Sequence, residues 1–154
     1  MKRLVTNIIL LFIFNASYAI GDLKTIRDYY FKVNTEVISL GDYETFVAEN
    51  KDENSVEWQA YKIMTWFLKA REYYNPLNKL SAFNKGKEKL DSLLSVNINN
   101  VELRFLRYTI QENAPSFLGY NSKIDEDKKF LLKTYPNLTD SDLKTKIISY
   151  LKKN

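Results

Sequence analysis

Four polar residues of a predicted helix are spaced so that they share one face. Asn100, Arg104, Arg107 and Gln111 are separated by four, three and four positions, and residues three or four apart are neighbours on a helix. After residue 19 the chain has 17 lysines but only four arginines, two of them in this stripe. Arginine's planar fork holds a carboxylate or phosphate in a fixed geometry. The stripe is therefore a candidate site for an anionic group.

An acidic segment that follows offers a second explanation of the same arginines. Asp125, Glu126 and Asp127 open the next predicted helix. If that helix folds back, its carboxylates pair with Arg104 and Arg107 inside the protein. We favour this internal pairing, because ion-pair networks are a common use of arginine beside an acidic helix.

Residues 113–121 hold more large apolar side chains than a solvated connection needs, including Pro115, Phe117, Leu118 and Tyr120. Either these side chains fill the interior of the bundle, which we favour, or they line a groove beside the arginine stripe. Such a groove suits a ligand with an apolar body and an anionic head. The candidate binding residues are Arg104, Arg107, Gln111, Phe117 and Tyr120.

Composition limits the chemistry that this chain can perform. It has no cysteine and no histidine, which removes thiol nucleophiles, serine–histidine pairs and the usual zinc sites. Two carboxylates could hydrolyse a glycoside, with Glu112 and Asp125 the pair nearest the predicted groove. Acidic residues occur on every solvated helix face, however, and no nucleophile, base and orienting group are organised together. We therefore expect no catalytic residue, no metal site and no cofactor.

The first 19 residues have the form of a secretory signal. Lys2 and Arg3 precede the apolar run 4–14, and the small residues Ser17 and Ala19 lie at the cleavage positions. The run is shorter than the roughly 20 apolar residues that cross a bilayer, so we expect a periplasmic or secreted protein without stable membrane insertion. Removal of residues 1–19 leaves 21 basic and 19 acidic side chains. This nearly neutral balance argues against a nucleic-acid partner.

The remaining chain, residues 20–154, has the features of one all-helical domain. It lacks cysteine for disulfides but is rich in aromatic residues that build a packed core, and four glycines and three prolines are too few for a many-stranded sheet protein. Apolar periodicity predicts seven helices. They begin after Asp22, cover about 42–49, 54–74, 77–96 and 101–113, and open at Ser122 and Thr139.

The third predicted helix is the most apolar around its circumference. Asn54 and Glu57 have the spacing of a capping box at its start. One apolar stripe runs from Val56 to Tyr74, and a second, on an adjacent face, includes Met64. A helix apolar on several faces must be covered on several sides. We therefore predict that it lies at the centre of the bundle.

Two resemblances add to these patterns. Residues 83–102 resemble the second helix of a tetratricopeptide repeat and the polar turn after it, with Ile98 where that turn often has proline. A broader set of residues is similar to small exported helical proteins of Bacteroidota, a family to which no reaction is assigned; it comprises Tyr61-Lys62, Asn75-Pro76, Lys79-Leu80, Arg104-Phe105-Leu106-Arg107, Gln111, Asn113, Pro115, Phe117-Leu118 and Tyr120. These resemblances imply export and a helical architecture, and no reaction.

The sequence thus predicts an all-α, single compact bundle of about six to seven helices with tetratricopeptide-like hairpin packing. We expect an exported, non-catalytic binding module that recognises a peptide or protein partner on a helix face. One alternative is a carrier of a small amphiphilic anion, which requires a closed apolar cavity. Another is a carbohydrate-active enzyme, which requires two carboxylates about 5–9 Å apart in a cleft.

Overall fold

The computed structural model describes residues 23–49 and 54–152, and this part of the chain contains seven α-helices and no strand. The helices are α1 (Leu23–Asn34), α2 (Leu40–Glu49), α3 (Val56–Glu72), α4 (Pro76–Val96), α5 (Val101–Asn113), α6 (Ile124–Thr134) and α7 (Ser141–Leu151). Short 3₁₀ turns, Ser116–Leu118 and Tyr135–Asn137, precede α6 and α7. The all-α prediction is confirmed. The predicted signal segment and residues 50–53 of the predicted loop lie outside the described residues.

Three predicted helix starts are wrong by one residue. Lys123 rather than Ser122 is the N-cap residue of α6, and its side chain makes no cap hydrogen bond. Ser55 rather than Asn54 caps α3, and Asp140 rather than Thr139 caps α7. In both caps the side-chain oxygen accepts the N–H of the residue three positions later. This bond satisfies an amide that has no partner within the first turn of a helix. The chain has two adjacent polar candidates at each of these two starts, and the second has the extended backbone conformation of an N-cap residue.

Helix α3 packs against α1, α2, α4 and α5, and its contact with α4 is the most extensive in the bundle. Its predicted central position is therefore confirmed. The inward stripe ends early, however, because α3 stops at Glu72 and the chain turns at Asn75, which caps α4. Tyr74, predicted to face inward, is 99% exposed, and Leu80 of α4 is 44% exposed. Tyr74 lies in the turn between α3 and α4, and Leu80 lies near the start of α4.

Helix α5 separates two hydrophobic cores. Leu103 and Leu106 belong to the larger core, which α1 to α4 complete. Phe105 and Tyr108 face the opposite way, into a smaller core formed with α6 and α7. Every residue from 102 to 109 is consequently buried, although the polar stripe of this helix resembles that of a surface helix.

Gly86 allows α3 and α4 to approach each other closely. A Cβ atom at this position would lie 2.9 Å from Cε2 and 3.0 Å from Cζ of Phe67 in α3. The Phe67 ring is buried and packs edge-on against Phe83 at a centroid distance of 5.4 Å. We expect Gly86→Ala to lower the free energy of unfolding by about 1–2 kcal/mol in urea titrations, because the Phe67 ring must shift from its packing against Phe83 to make room for the methyl group.

Gly41 provides the matched control for this substitution. It also lies in a helix, but a Cβ there would meet nothing nearer than Ser39 Oγ at 3.7 Å. Alanine is intrinsically the better helix former by up to about 1 kcal/mol. Gly41→Ala should therefore leave stability unchanged or raise it, and equal stabilisation by both substitutions would contradict the close contact at Gly86.

Candidate functional site

The predicted arginine stripe converges on one buried carboxylate, Asp127 of α6. Arg104 Nη1 and Arg107 Nη2 each donate to Asp127 Oδ1 at 2.8 Å. Arg107 Nε and Gln111 Nε2 donate to Asp127 Oδ2 at 2.7 and 3.2 Å. Asp127 has no exposed surface, so these four hydrogen bonds compensate for the removal of its charge from water.

Further contacts surround this cluster. Arg104 also donates to Glu126 at 2.8 Å, and Lys123 pairs with the other oxygen of that carboxylate at 3.0 Å. The hydrogen bond from Arg104, followed by that from Lys123, lowers the pKa of Glu126 to about 2. Asn100, the first residue of the stripe, caps α5 by accepting the Leu103 N–H. Of the two uses considered for these arginines, internal pairing is the arrangement present in the structure.

A second buried ion cluster centres on Arg27 of α1. Its Nε and Nη2 atoms donate to the two oxygens of Glu102 at 2.7 and 2.9 Å. The same guanidinium donates to Asp142 at 2.6 Å and to Asp140 at 2.9 Å, while Tyr61 donates its hydroxyl to Glu102 at 2.6 Å. The cluster joins α1 to α3, α5 and the start of α7.

The electrostatics of this cluster are consistent with a charged arginine and a neutral tyrosine. Burial alone would lower the pKa of Arg27, but its contacts with Glu102 and Asp142 raise it. Burial, then the nearby Glu102 charge, raises the pKa of Tyr61 well above its usual value. Tyr61 therefore remains a hydrogen-bond donor to the carboxylate.

Sequence reasoning missed the Arg27 cluster. The available signal was the rarity of arginine combined with position, because Arg27 follows Ile26 directly and precedes Tyr30 by three residues in the inward stripe of α1. A charged residue there must find a counter-charge in the interior. Its partners, at residues 102, 140 and 142, are too distant in sequence to be recognised by spacing.

An apolar groove of about 610 Å³ opens on another face of the bundle. It lies between the C-terminal ends of α1, α3 and α5, the start of α4 and the 3₁₀ turn before α6. Most of its wall is hydrocarbon. The lining residues are Tyr30, Asn34, Phe67, Leu68, Ala70, Arg71, Pro76, Leu77, Lys79, Leu80, Phe83, Ile110, Asn113, Ala114, Pro115, Phe117 and Leu118.

Several large apolar side chains at or near the groove are exposed to solvent. Leu77 and Phe117 line it and are 76% and 84% exposed. Tyr74, three residues before Leu77, is 99% exposed. Exposed apolar side chains grouped on one surface are a feature of protein interaction sites.

The five predicted binding residues are divided among three environments. Arg104, Arg107 and Gln111 face Asp127, and none of them lines the groove. Phe117 lies at the groove, whereas Tyr120 is buried, stacks edge-on against Phe83 at 5.8 Å and donates to Asp91 at 2.8 Å. Segment 113–121 thus both fills the bundle and lines a groove, but the groove does not adjoin the arginine stripe.

The charged residues of the groove are both basic. Arg71 Nη2 donates to the Val33 carbonyl at 3.1 Å and Nη1 to Asn34 Oδ1 at 3.2 Å. Lys79 forms no ion pair or side-chain hydrogen bond with any residue of 23–49 or 54–152. Among the described residues no aspartate or glutamate lines the groove, and neither Glu112 nor Asp125 lies there.

Within 23–49 and 54–152 no group of three or more acidic side chains is arranged to hold a metal ion. No helix in the same ranges is long and apolar enough to cross a bilayer.

No family model, curated protein sequence or solved structure matches this chain. The features of this chain that bear on function are the groove, the exposed side chains around it and the charges that border it.

Proposed function

We propose that this protein is a non-catalytic binding module that holds a protein partner in the groove between α3, α4 and α5. The observation that carries this proposal is the combination of a hydrocarbon-lined groove with exposed Leu77 and Phe117 beside it. Burying apolar surface contributes roughly 25 cal/mol per Å². A partner that covers both the groove and these side chains therefore has a large driving force for association.

The exposed side chains distinguish a protein partner from a small amphiphile. A fatty acid or similar ligand inside the groove would contact Phe67 and Leu68 but would leave Tyr74, which is 99% exposed, in water. A protein surface covers the groove and its surroundings together, as at the centre of other interfaces. The exposed side chains of Tyr74, Leu77 and Phe117 thus favour a peptide or protein partner over a small amphiphilic ligand.

The groove also offers little to an enzymatic reaction. Its wall has no carboxylate, and glycoside hydrolysis requires two. Among the described residues that line it, Lys79 and Arg71 are the charged groups, and both are cations. This chemistry supports binding without catalysis.

The predicted signal segment indicates in which compartment this interaction would take place. If residues 1–19 are removed during export, the partner is met in the periplasm or outside the cell. A module that is exported without disulfides depends on its packed core and ion clusters for integrity.

A photo-crosslinking residue at position 117 tests the proposal in cells that produce the full chain. Val96 is the matched control, because it is 79% exposed but does not line the groove. We expect one discrete protein adduct from position 117 and none from position 96. Leu77→Ser should abolish the adduct while changing stability by no more than about 0.5 kcal/mol, since Leu77 is exposed.

The type of adduct decides between the candidate functions. Lipid adducts without a protein adduct would favour the amphiphile carrier. Identical protein adducts from both positions, or an adduct that persists in the Leu77→Ser variant, would contradict a specific partner in the groove.

A further inference from the structure

We infer that the partner enters the groove as an amphipathic α-helix that places an acidic side chain beside Lys79. This inference rests on the proposed function and goes further by specifying the conformation and the charge of the bound segment.

The conformation follows from the chemistry of the groove wall. An extended peptide carries backbone N–H and C=O groups that must be paired when they leave water. The described residues offer no strand edge for such pairing, and the groove is lined chiefly by side-chain carbon, with Asn34 and Asn113 its only amide side chains. A helix satisfies its own backbone and presents an apolar face, so it enters such a groove without unpaired amides.

The acidic character of the bound helix is inferred from the two cations of the groove, Arg71 and Lys79. Arg71 is already bound to the end of α1 through Val33 and Asn34. Lys79 is exposed and forms no ion pair within the described residues, and no acidic residue among the groove-lining residues offsets it. A carboxylate on the bound helix would gain a partner at Lys79, whereas a lysine would be repelled there.

The same charges argue against a second copy of the chain as the occupant. In a symmetric dimer the same patch supplies both sides of the interface, so Lys79 and Arg71 of both copies would be enclosed in one interface. The groove supplies no carboxylate to neutralise them. An acidic helix from a different protein is electrostatically complementary instead.

Labelled probe peptides of about 14 residues test this inference by fluorescence anisotropy at low salt. Each carries leucines at helical i, i+3, i+4 and i+7 spacing, with glutamate, glutamine or lysine at the edges of the apolar face. A fourth peptide has the glutamates and a central proline. We expect the glutamate peptide to bind about threefold tighter than the glutamine peptide and about tenfold tighter than the lysine peptide. The proline peptide should bind at least about tenfold more weakly.

Two variants assign the effect to one residue. Lys79→Gln should make the glutamate and glutamine peptides bind equally. Lys89→Gln removes an exposed lysine of the same helix outside the groove, and it should preserve the threefold difference. The preference should also weaken at high salt, because an exposed ion pair is screened.

Failure of this inference differs from failure of the proposed function. Equal binding of the three edge variants would overturn the acidic preference, and undiminished binding of the proline peptide would overturn the helical conformation. If no probe peptide binds, the inference is also overturned. The proposed function would still stand if position 117 gives a protein adduct and Leu77→Ser abolishes that adduct. A dimer of the protein that Leu77→Ser dissociates would show that the groove holds a second copy.

Discussion

Replacing Arg27 with methionine is expected to lower the free energy of unfolding by about 3–5 kcal/mol. Arg27 is fully buried, and its loss would leave Glu102, itself 4% exposed, without its cationic partner. An uncompensated buried charge costs more than the missing contact alone. Urea or thermal unfolding followed by circular dichroism measures the loss.

Two companion variants separate this buried cluster from an ordinary ion pair. Lys24→Met removes a partner of Asp28 on the same helix, but Lys24 is 56% exposed, so it should cost no more than about 1 kcal/mol. The double variant Arg27→Met, Glu102→Met removes both charges and should recover part of the stability. A cost for Arg27→Met as small as that for Lys24→Met would contradict the buried cluster.

Asp127→Asn is expected to destabilise the protein by a similar amount, about 3–5 kcal/mol. Each oxygen of Asp127 accepts two hydrogen bonds in the wild type. In either orientation, the NH₂ group of the substituted amide would therefore face two hydrogen-bond donors. The substitution also leaves the buried Arg104 and Arg107 without their common anion. Unfolding curves of the purified protein give the size of the effect.

Glu126 is the matched control for Asp127, since Glu126 directly precedes Asp127 in α6 and both carboxylates contact Arg104. Its side chain is 47% exposed, whereas that of Asp127 is 0% exposed. Glu126→Gln should therefore cost no more than about 1 kcal/mol. If both substitutions lowered the free energy of unfolding equally, burial would not determine how much each carboxylate contributes to stability.

The contribution of Glu126 should also depend on pH in a defined direction. Arg104, followed by Lys123, lowers its pKa from 4.5 to about 2. A carboxylate whose pKa falls on folding stabilises the native state above its unfolded pKa and loses that effect as the pH falls through its folded pKa. The small stabilisation of the wild type relative to Glu126→Gln should be complete above about pH 5, decrease progressively on acidification, and be lost below about pH 2. An advantage that grows on acidification would contradict the pairing with Arg104.

Much of the fold could be predicted from local patterns. The bounds of α5 were predicted correctly, because Asn100 and Pro115 flank a helical segment whose ends are local events. Helix α3 was recognised as central because apolar residues cover several of its faces. Errors arose where two adjacent polar residues competed for one cap, as at Ser55 and Asp140.

The candidate site was only partly predictable. A stripe of arginines has the same sequence whether it faces solvent, a ligand or a buried carboxylate, and the identity of its partner depends on how α6 packs. Phe117 and Tyr120 are three residues apart, yet one is exposed and the other buried. The 3₁₀ turn and Gly119, with φ of 61°, set their different directions.

The sequence by itself determined the helices, their approximate ends and the chemistry that the chain lacks, because propensity, capping and composition act over a few residues. Only the tertiary structure decided that α5 lies between two cores, that Arg27 meets carboxylates more than 70 positions away, and that an apolar groove remains open beside Lys79. Burial and charge pairing depend on which surfaces come together in space, and no spacing within one helix specifies the helix that will cover it.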